Sequence, residues 1–338
     1  MSESYLLVLN VGSSTLKYAL YAADTLACIE RATLEGATGF SEIAAKCAGN
    51  NIIAVGHRLV HGGEAYTTAT VINERAFTHL KGLIPLAPLH LPAEIKGIEQ
   101  SQQLFPDAVQ VAAFDTAFHA NQPSLATQFA LPEAITAQGV RRYGFHGLSY
   151  ASIARQLSKQ GQGGKVIVAH LGSGASVCAL QDGVSIATSM GFSALEGLMM
   201  GTRCGRLDAG VLLYLLSQGY TEAQLTDLLY KQSGLLGVSG ISADMRVLEN
   251  SLEPKAQQAV ELFCYRAASE IGALIPLLGG LDALVFTAGI GEHSKRVREK
   301  ITAYFGWLPT LKTLVLQTDE EAEIAVQVKN LAISGVIY

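Results

Sequence analysis

Short apolar runs that end in glycine and serine alternate along this chain with longer segments of helical spacing. Residues 5–10 (YLLVLN) form a buried-strand pattern that stops at Val11-Gly12-Ser13-Ser14. Residues 16–21 (LKYALY) resume it, which predicts a strand–loop–strand unit. Residues 52–55 and 108–114 carry the same signature and predict two further strands. The hairpin pattern recurs at 165–170 (KVIVAH), with a loop at 171–175 (LGSGA) and a strand at 176–180. Two hairpins with Gly/Ser-rich tips hint at duplication, although the sequences outside them differ. Residues 254–278 space their apolar side chains as a helix does and run into a buried strand at 281–287. Ala288-Gly289-Ile290-Gly291-Glu292 then reads as a glycine loop, and helix, strand and glycine loop together make a common nucleotide pocket. The tail 318–330 predicts a terminal helix with Thr318 or Asp319 as N-cap and acids in its first turn.

Length and composition narrow the class. A chain of 338 residues favours about two domains, and with 49% apolar residues each can bury a full core. The 34 glycines suit an α/β enzyme with many tight turns. A net charge of −5 without any Lys/Arg run argues against a nucleic-acid partner, and it requires local positive charge wherever an anion binds. The five cysteines (Cys28, Cys47, Cys178, Cys204, Cys264) form no CxxC pair, so reduced thiols in a cytoplasmic protein are expected rather than zinc or disulfides. The start MSESY lacks the basic and apolar regions of a signal peptide. No run of about 18 uncharged apolar residues predicts a membrane span.

Five constellations offer chemistry. In Asn10-Val11-Gly12-Ser13-Ser14-Thr15-Leu16-Lys17, glycine permits close backbone approach, and hydroxyls, N–H groups and a lysine supply anion contacts. It is not a Walker A loop, and an ordinary hairpin turn has much the same composition. Gly56-His57-Arg58-Leu59-Val60-His61-Gly62-Gly63-Glu64 places an arginine in an apolar strand, where it needs a carboxylate or phosphate, either internal or from a ligand. Its histidines read equally as satisfied core residues. Asp115 follows an apolar strand, a position that faces a crevice or caps the next helix. Arg141-Arg142-Tyr143-Gly144-Phe145-His146-Gly147 mixes cations, aromatics and histidine as few surface loops do. Between 189 and 205, Met and Leu read as core, whereas Arg203, set among small residues, can reach a ligand.

Taken in order, NVGSSTLKY, GHRLVHGGE, APLHLPAE, FDTAFH, RRYGFHG, AHLGSGASV, ALEGLMMGTRCG, SGLLGVSGISADMR, FTAGIGE and TDEE resemble the acetate kinase family, which includes propionate kinases. The resemblance runs from near residue 6 to near residue 328. It implies an α/β fold of the sugar kinase and actin superfamily: two ribonuclease H-like domains, 1–116 with 319–338 and 117–318, with the active site in an interdomain cleft. It implies a reversible, direct in-line transfer of a phosphoryl group from ATP to acetate with Mg²⁺, and a homodimer. Asn10 and Glu320 would hold the metal, directly or through water. Lys17 and the Ser13 and Thr15 hydroxyls would approach the phosphates. Arg58 would bind the acyl carboxylate near Val60, Leu89 and Phe145. Asp115 would sit at the reacting centre as an orienter of metal or water, and His146 and Arg203 would steady the phosphoryl group. His170, Leu171, Gly172, Ser173 and Gly174 would form a second phosphate loop. Asp244, Met245 and Arg246 with Gly289, Ile290, Gly291, Glu292 and His293 would enclose the adenosine.

Several positions depart from the family pattern. Ser173 and His293 stand where Asn is usual, both in the nucleotide site, and so bear on base preference. Ala194 replaces the usual Pro near the acyl pocket, where the lost ring leaves room for a longer chain such as propionate. Leu91, Leu148 and Tyr150 also differ, and the chain is shorter than the family norm between 25 and 51 and between 298 and 319.

Overall fold

The computed structural model describes residues 3–12, 15–35 and 39–333. It divides into two compact units, Met1–Ala120 with Gly147–Ser152 and Asp319–Tyr338, and Asn121–His146 with Ile153–Thr318. Residues 117–120 and Gly147–Ser152, expected in the second domain, pack with the first unit. One tie is the Gly147 N–H, which donates to the Asp115 carbonyl at 2.8 Å.

The first unit holds strands β1 (Ser4–Val11), β2 (Thr15–Ala22), β3 (Cys28–Glu35), β4 (Asn51–Leu59), β5 (Thr70–Val71) and β6 (Val109–Phe114). They lie in the order β3-β2-β1-β4-β6-β5. β1, β2 and β3 are antiparallel neighbours, and β4 and β6 then run parallel to β1. The uninterrupted apolar stretch IIAV of β4 is what a strand buried on both faces requires. One face is covered by the terminal helix Glu320–Ala332, whose N-cap Asp319 accepts the Ala322 N–H at 2.9 Å, one of the two caps expected from sequence. That helix buries Ile324, Ala325 and Val328 against Leu6, Val8, Ala54 and Val111. Its two larger side chains stabilise the unit by ~1.5–3 kcal/mol each. A Cβ at Gly56 would lie 2.6 Å from Val328 Cγ2 and 2.7 Å from Ile324 Cγ2, so glycine in β4 permits this close approach.

The second unit holds β7 (Lys165–Leu171), β8 (Ala175–Gln181), β9 (Val184–Thr188), β10 (Ala283–Thr287) and β11 (Lys312–Val315), in the order β11-β10-β7-β8-β9. β7, β8 and β9 are antiparallel neighbours, and β10 and β11 run parallel to β7. Both sheets therefore repeat one plan, an antiparallel three-strand meander followed by two parallel strands. The duplication hinted at by two glycine hairpins is a duplication of topology, and the two-domain ribonuclease H-like class holds. The helix Pro254–Leu278 has the bounds its periodicity predicts, buries Val260, Phe263, Ala267 and Ile271, and ends at Gly279 in the left-handed region. Residues 288–292, expected as a loop, lie within the short helix Ala288–His293. The Glu292 carboxylate accepts the Ala288 N–H at 2.9 Å, satisfying a donor at the helix start that the glycine spacing alone leaves open.

His57, in β4, is a satisfied core residue. Gln110 on β6 donates its amide N–H to the Ala108 carbonyl at 3.2 Å and accepts from the Ser101 hydroxyl at 3.0 Å. Its oxygen therefore faces His57 Nε2, 2.8 Å away, and Nε2 carries the ring proton. Burial pushes the His57 imidazole down to about 4. Its folded value lies below its unfolded one, so the stability it contributes is complete above pH ~6.5 and is lost as pH falls towards 4. Replacing His57→Gln should flatten this limb, so that the urea midpoint falls less between pH 7 and 5 than in the parent. An equal fall would exclude His57 as its source.

Candidate active site

The parallel strands of the first unit deliver three polar side chains to one edge of the sheet, where their carboxyl ends lie. Asn10 stands near the end of β1, Arg58 near the end of β4, and Asp115 immediately after β6. Glu320 joins them as the first residue of the terminal helix. Arg58 ties them together. Its Nη2 donates to Asp115 Oδ2 at 2.5 Å, its Nε to Asp115 Oδ1 at 3.3 Å, and its Nη1 to Asn10 Oδ1 at 3.3 Å. Glu320 Oε2 lies 3.6 Å from Arg58 Nε.

Only 1% of the Asp115 side chain is exposed, against 22% for Arg58. Burial raises the Asp115 carboxyl above the usual carboxylate range; Arg58 pulls it back, and Glu320 adds to the rise. Burial likewise disfavours the Arg58 cation, but Asp115 and Glu320 together hold its value above the ordinary one. Two carboxylates share one guanidinium, so the ionised cluster is one charge negative.

Among the described residues, no three His, Cys, Asp or Glu side chains gather to form a metal cage. The Asn10 amide and the Glu320 carboxylate instead offer two hard oxygens in a negative setting. That donor set fits Mg²⁺, which usually takes one or two protein oxygens and completes its shell with water and phosphate.

Of the remaining residues expected on this side, Lys17 pairs with Asn10 across the β1–β2 ladder and is exposed. Thr15 opens β2, its carbonyl accepting the Gly12 N–H at 2.8 Å, and Ser13 lies outside the described residues. Val60 is buried, while Leu89 is 41% exposed. Phe145 is buried in the second unit.

The second unit gathers a different set. His146 adopts φ 58 and ψ 23, a left-handed conformation uncommon outside glycine. Its ring stacks on His170 with centroids 4.1 Å apart, and its Nδ1 lies 2.8 Å from the Ser176 hydroxyl. Arg203 donates from Nη1 to the Ala194 carbonyl at 2.5 Å, and no carboxylate pairs with it among the described residues. Burial lowers the pKa of its guanidinium. An unneutralised, half-buried cation of this kind suits an anion. A Cβ at Gly174 would lie 2.7 Å from Arg203 Nη2 and 3.2 Å from His146 Nε2, so the glycine loop, the arginine and the histidine converge on one point.

Beside them, a cavity of about 460 Å³ is lined by Gly172, Ser173, Asp244, Met245, Arg246, Gly289, Ile290 and His293, with Ala243, Glu249 and Ser294. Residues expected around a nucleotide from three separate stretches thus meet in one pocket. Gly291 is buried and Glu292 turns to Ala288, Thr287 and Thr318, so these two shape the pocket from behind. Leu171 is fully buried, and His170 and Gly174 belong to the arginine side. Asp244 caps the helix Met245–Glu249 and pairs with Arg246 at 2.6 Å.

Ser176 and Glu94 were not expected. Ser176 shows in sequence only as one polar position in an apolar strand. Glu94, 3% exposed, accepts the Val60 N–H at 3.0 Å. Its one signal is an acid on the apolar face of the helix Leu91–Leu104.

Comparison with known proteins adds a second line. The model of the acetokinase family matches residues 37–335. The acetate kinase of Rhodopseudomonas palustris (strain TIE-1) is 46% identical over 90% of this chain and 86% of its own length. Among solved structures, a propionate kinase from Francisella tularensis subsp. tularensis SCHU S4 superposes with a TM-score of 0.91 at 35% identity, covering 98% of this chain and 100% of that one. Porphyromonas gingivalis acetate kinase superposes with a TM-score of 0.88 at 33% identity, covering 97% and 99%.

The Gly174 geometry yields a test. Gly174→Ala should displace the Arg203 guanidinium and weaken ATP binding by about tenfold or more, since a charged hydrogen bond is worth ~1.5–3 kcal/mol. Calorimetric titration measures this, and an unchanged Kd would detach Arg203 and His146 from the nucleotide.

Proposed function

Because the chain belongs to the acetokinase family, we propose that it catalyses the reversible, ATP-dependent phosphorylation of acetate to acetyl phosphate by direct in-line transfer. The observation that best supports the chemistry is Arg203, a half-buried cation with no carboxylate partner among the described residues, which points with His146 at the glycine loop. Phosphoryl transfer needs alignment and charge neutralisation more than covalent help. The cavity beside Gly172 and Ile290 receives the adenosine of ATP, and the loop at Gly172 and Gly174 receives its phosphates. Arg203 and His146 steady the transferring group, with Lys17 and Thr15 contributing from the start of β2. Arg58 binds the carboxylate of acetate, and Val60, Leu89 and Phe145 contact its methyl group.

Mg²⁺ would be held by Asn10 and Glu320, where it offsets the negative charge of the phosphates. Asp115 orients Arg58 and the surrounding water. It need not take a proton, because acetate, with a pKa near ~4–5, is already ionised at neutral pH.

A second reading extends the substrate range to propionate. The likeness to a propionate kinase structure favours it, as does the small Ala194 side chain beside the carbonyl that holds Arg203. One methylene is worth only ~1–3 kcal/mol in such a pocket. A nucleotide-binding protein without turnover would have little use for Asn10, Arg58, Asp115, His146, Arg203 and Glu320 together.

The helix Ala209–Ser217 (AGVLLYLLS) buries none of its residues, and Leu213, Tyr214 and Leu216 are exposed. An apolar helix left open to water favours a homodimer formed through this face. Free thiols at all five cysteines fit a cytoplasmic location, and among the described residues no helix is long and apolar enough to cross a membrane.

Trapping the product with hydroxylamine tests the reaction. The chain with ATP, Mg²⁺ and acetate should form acyl hydroxamate, and Arg203→Ala should lose ~10²–10⁴ in rate, on the scale of removing a charge stabiliser. No product from acetate, propionate or butyrate would end the proposal, and turnover of acetate alone would end the propionate reading. Light scattering of the full chain should give a dimer mass that Leu213→Asp lowers to a monomer; a monomeric parent would refute the dimer.

A further inference from the structure

β4 ends at Leu59, and its terminus is fixed from two sides. The Asp115 N–H donates to the Leu59 carbonyl at 2.9 Å, and the Val60 N–H donates to Glu94 Oε2 at 3.0 Å. Glu94 lies in the first turn of the helix Leu91–Leu104, whose N-cap His90 makes no side-chain cap. An acid in a first turn ordinarily serves the free N–H groups of its own helix. Here it reaches across to the strand that carries Arg58. Without it, the Val60 N–H would be buried and lack an acceptor, a state proteins avoid.

We propose that Glu94 is a positioning residue for acetate, holding Val60, and through it Arg58, in place at the carboxyl end of β4. This assignment rests on the acetate-kinase reading above. The charged groups acting on Glu94 are Arg58 from β4, which favours its ionisation, and Asp115 from beyond β6, which opposes it. Burial outweighs both and pushes the carboxyl up to about 8. At neutral pH it therefore accepts the Val60 N–H through its carbonyl oxygen and adds no third negative charge around Arg58. Glutamine has the same reach and the same acceptor without a proton to lose.

Steady-state kinetics of the full chain at pH 7 test the assignment. Glu94→Ala should raise KM for acetate about tenfold or more, with KM for ATP within about twofold of the parent's. Glu94→Gln should return both to the parent values, a rescue that a loss of stability alone would not produce. Were Glu94→Ala to fold poorly, the pH profile of Glu94→Gln decides. In the parent, KM for acetate should rise above about pH 8 as the new carboxylate competes for Arg58, and in Glu94→Gln that limb should vanish. An unmoved KM for acetate in Glu94→Ala, or an alkaline limb that persists in Glu94→Gln, overturns the role of Glu94. A parent without acetate-dependent turnover overturns the underlying reading instead.

Discussion

A carboxylate as deeply buried as Asp115 must have its charge met locally, and the first unit is organised around meeting it. Arg58 does so at 2.5 Å, and can do so only because β4 and β6 are parallel neighbours whose ends coincide. A buried carboxylate stripped of its partner destabilises a protein by ~3–5 kcal/mol, so the pair constrains the fold as well as the chemistry. The same guanidinium reaches Asn10 on β1, while Glu320 stands 3.6 Å away at the head of the terminal helix. The packing of Ile324 and Val328 over Gly56 is what places Glu320 there. An aliphatic close contact at the middle of β4 thus sets an electrostatic one at its end.

The two units repeat one sheet plan and use it for opposite charges. In the first, the end of β6 and the head of the terminal helix bring two carboxylates, Asp115 and Glu320, to one arginine and leave the cluster negative, which suits a cation. In the second, the corresponding β7–β8 hairpin carries Gly172 and Gly174, with Arg203 close by and, among the described residues, no carboxylate against it. That surplus of positive charge suits phosphate oxygens. Net charge gives no hint of this division: a chain at −5 repels anions on average, and only a cation such as Arg203, half-buried away from carboxylates among the described residues, marks a place suited to one.

Which of these features sequence could show follows from their range. Strands read as apolar runs, and the helix Pro254–Leu278 as a period, because both signals are local. The same holds for the cap at Asp319, once Ala322 is seen to donate to it. The short helix Ala288–His293 was hidden because its glycines argue for a loop, and what stabilises it is a carboxylate four residues beyond the N–H it accepts. The duplication was half visible: a hairpin is contiguous, whereas the pairing of β10 with β7 joins segments more than a hundred residues apart. Arg58, Asp115 and Arg203 stood out as residue types in unlikely surroundings. Glu94 and Ser176 did not, because a carboxyl and a hydroxyl that serve other groups leave no pattern of their own.

The charge arrangement also explains why the chemistry can dispense with a general base. A base is useful where the nucleophile must lose a proton, and acetate has already lost its own at neutral pH. The difficulty lies elsewhere: one anion must approach another. Burial raises the Asp115 carboxyl, but Arg58 holds it in an ion pair that is poorly suited to relaying protons. The pair is better suited to presenting Arg58 rigidly, since a guanidinium gripped through both Nε and Nη2 keeps only part of its fork for a ligand. On the proposed assignment, acetate at Arg58 competes with two resident carboxylates, so its binding gains most when their charge is offset by a cation. The same residues that make the site costly to bury therefore make the acceptor's binding depend on the charge brought by the donor.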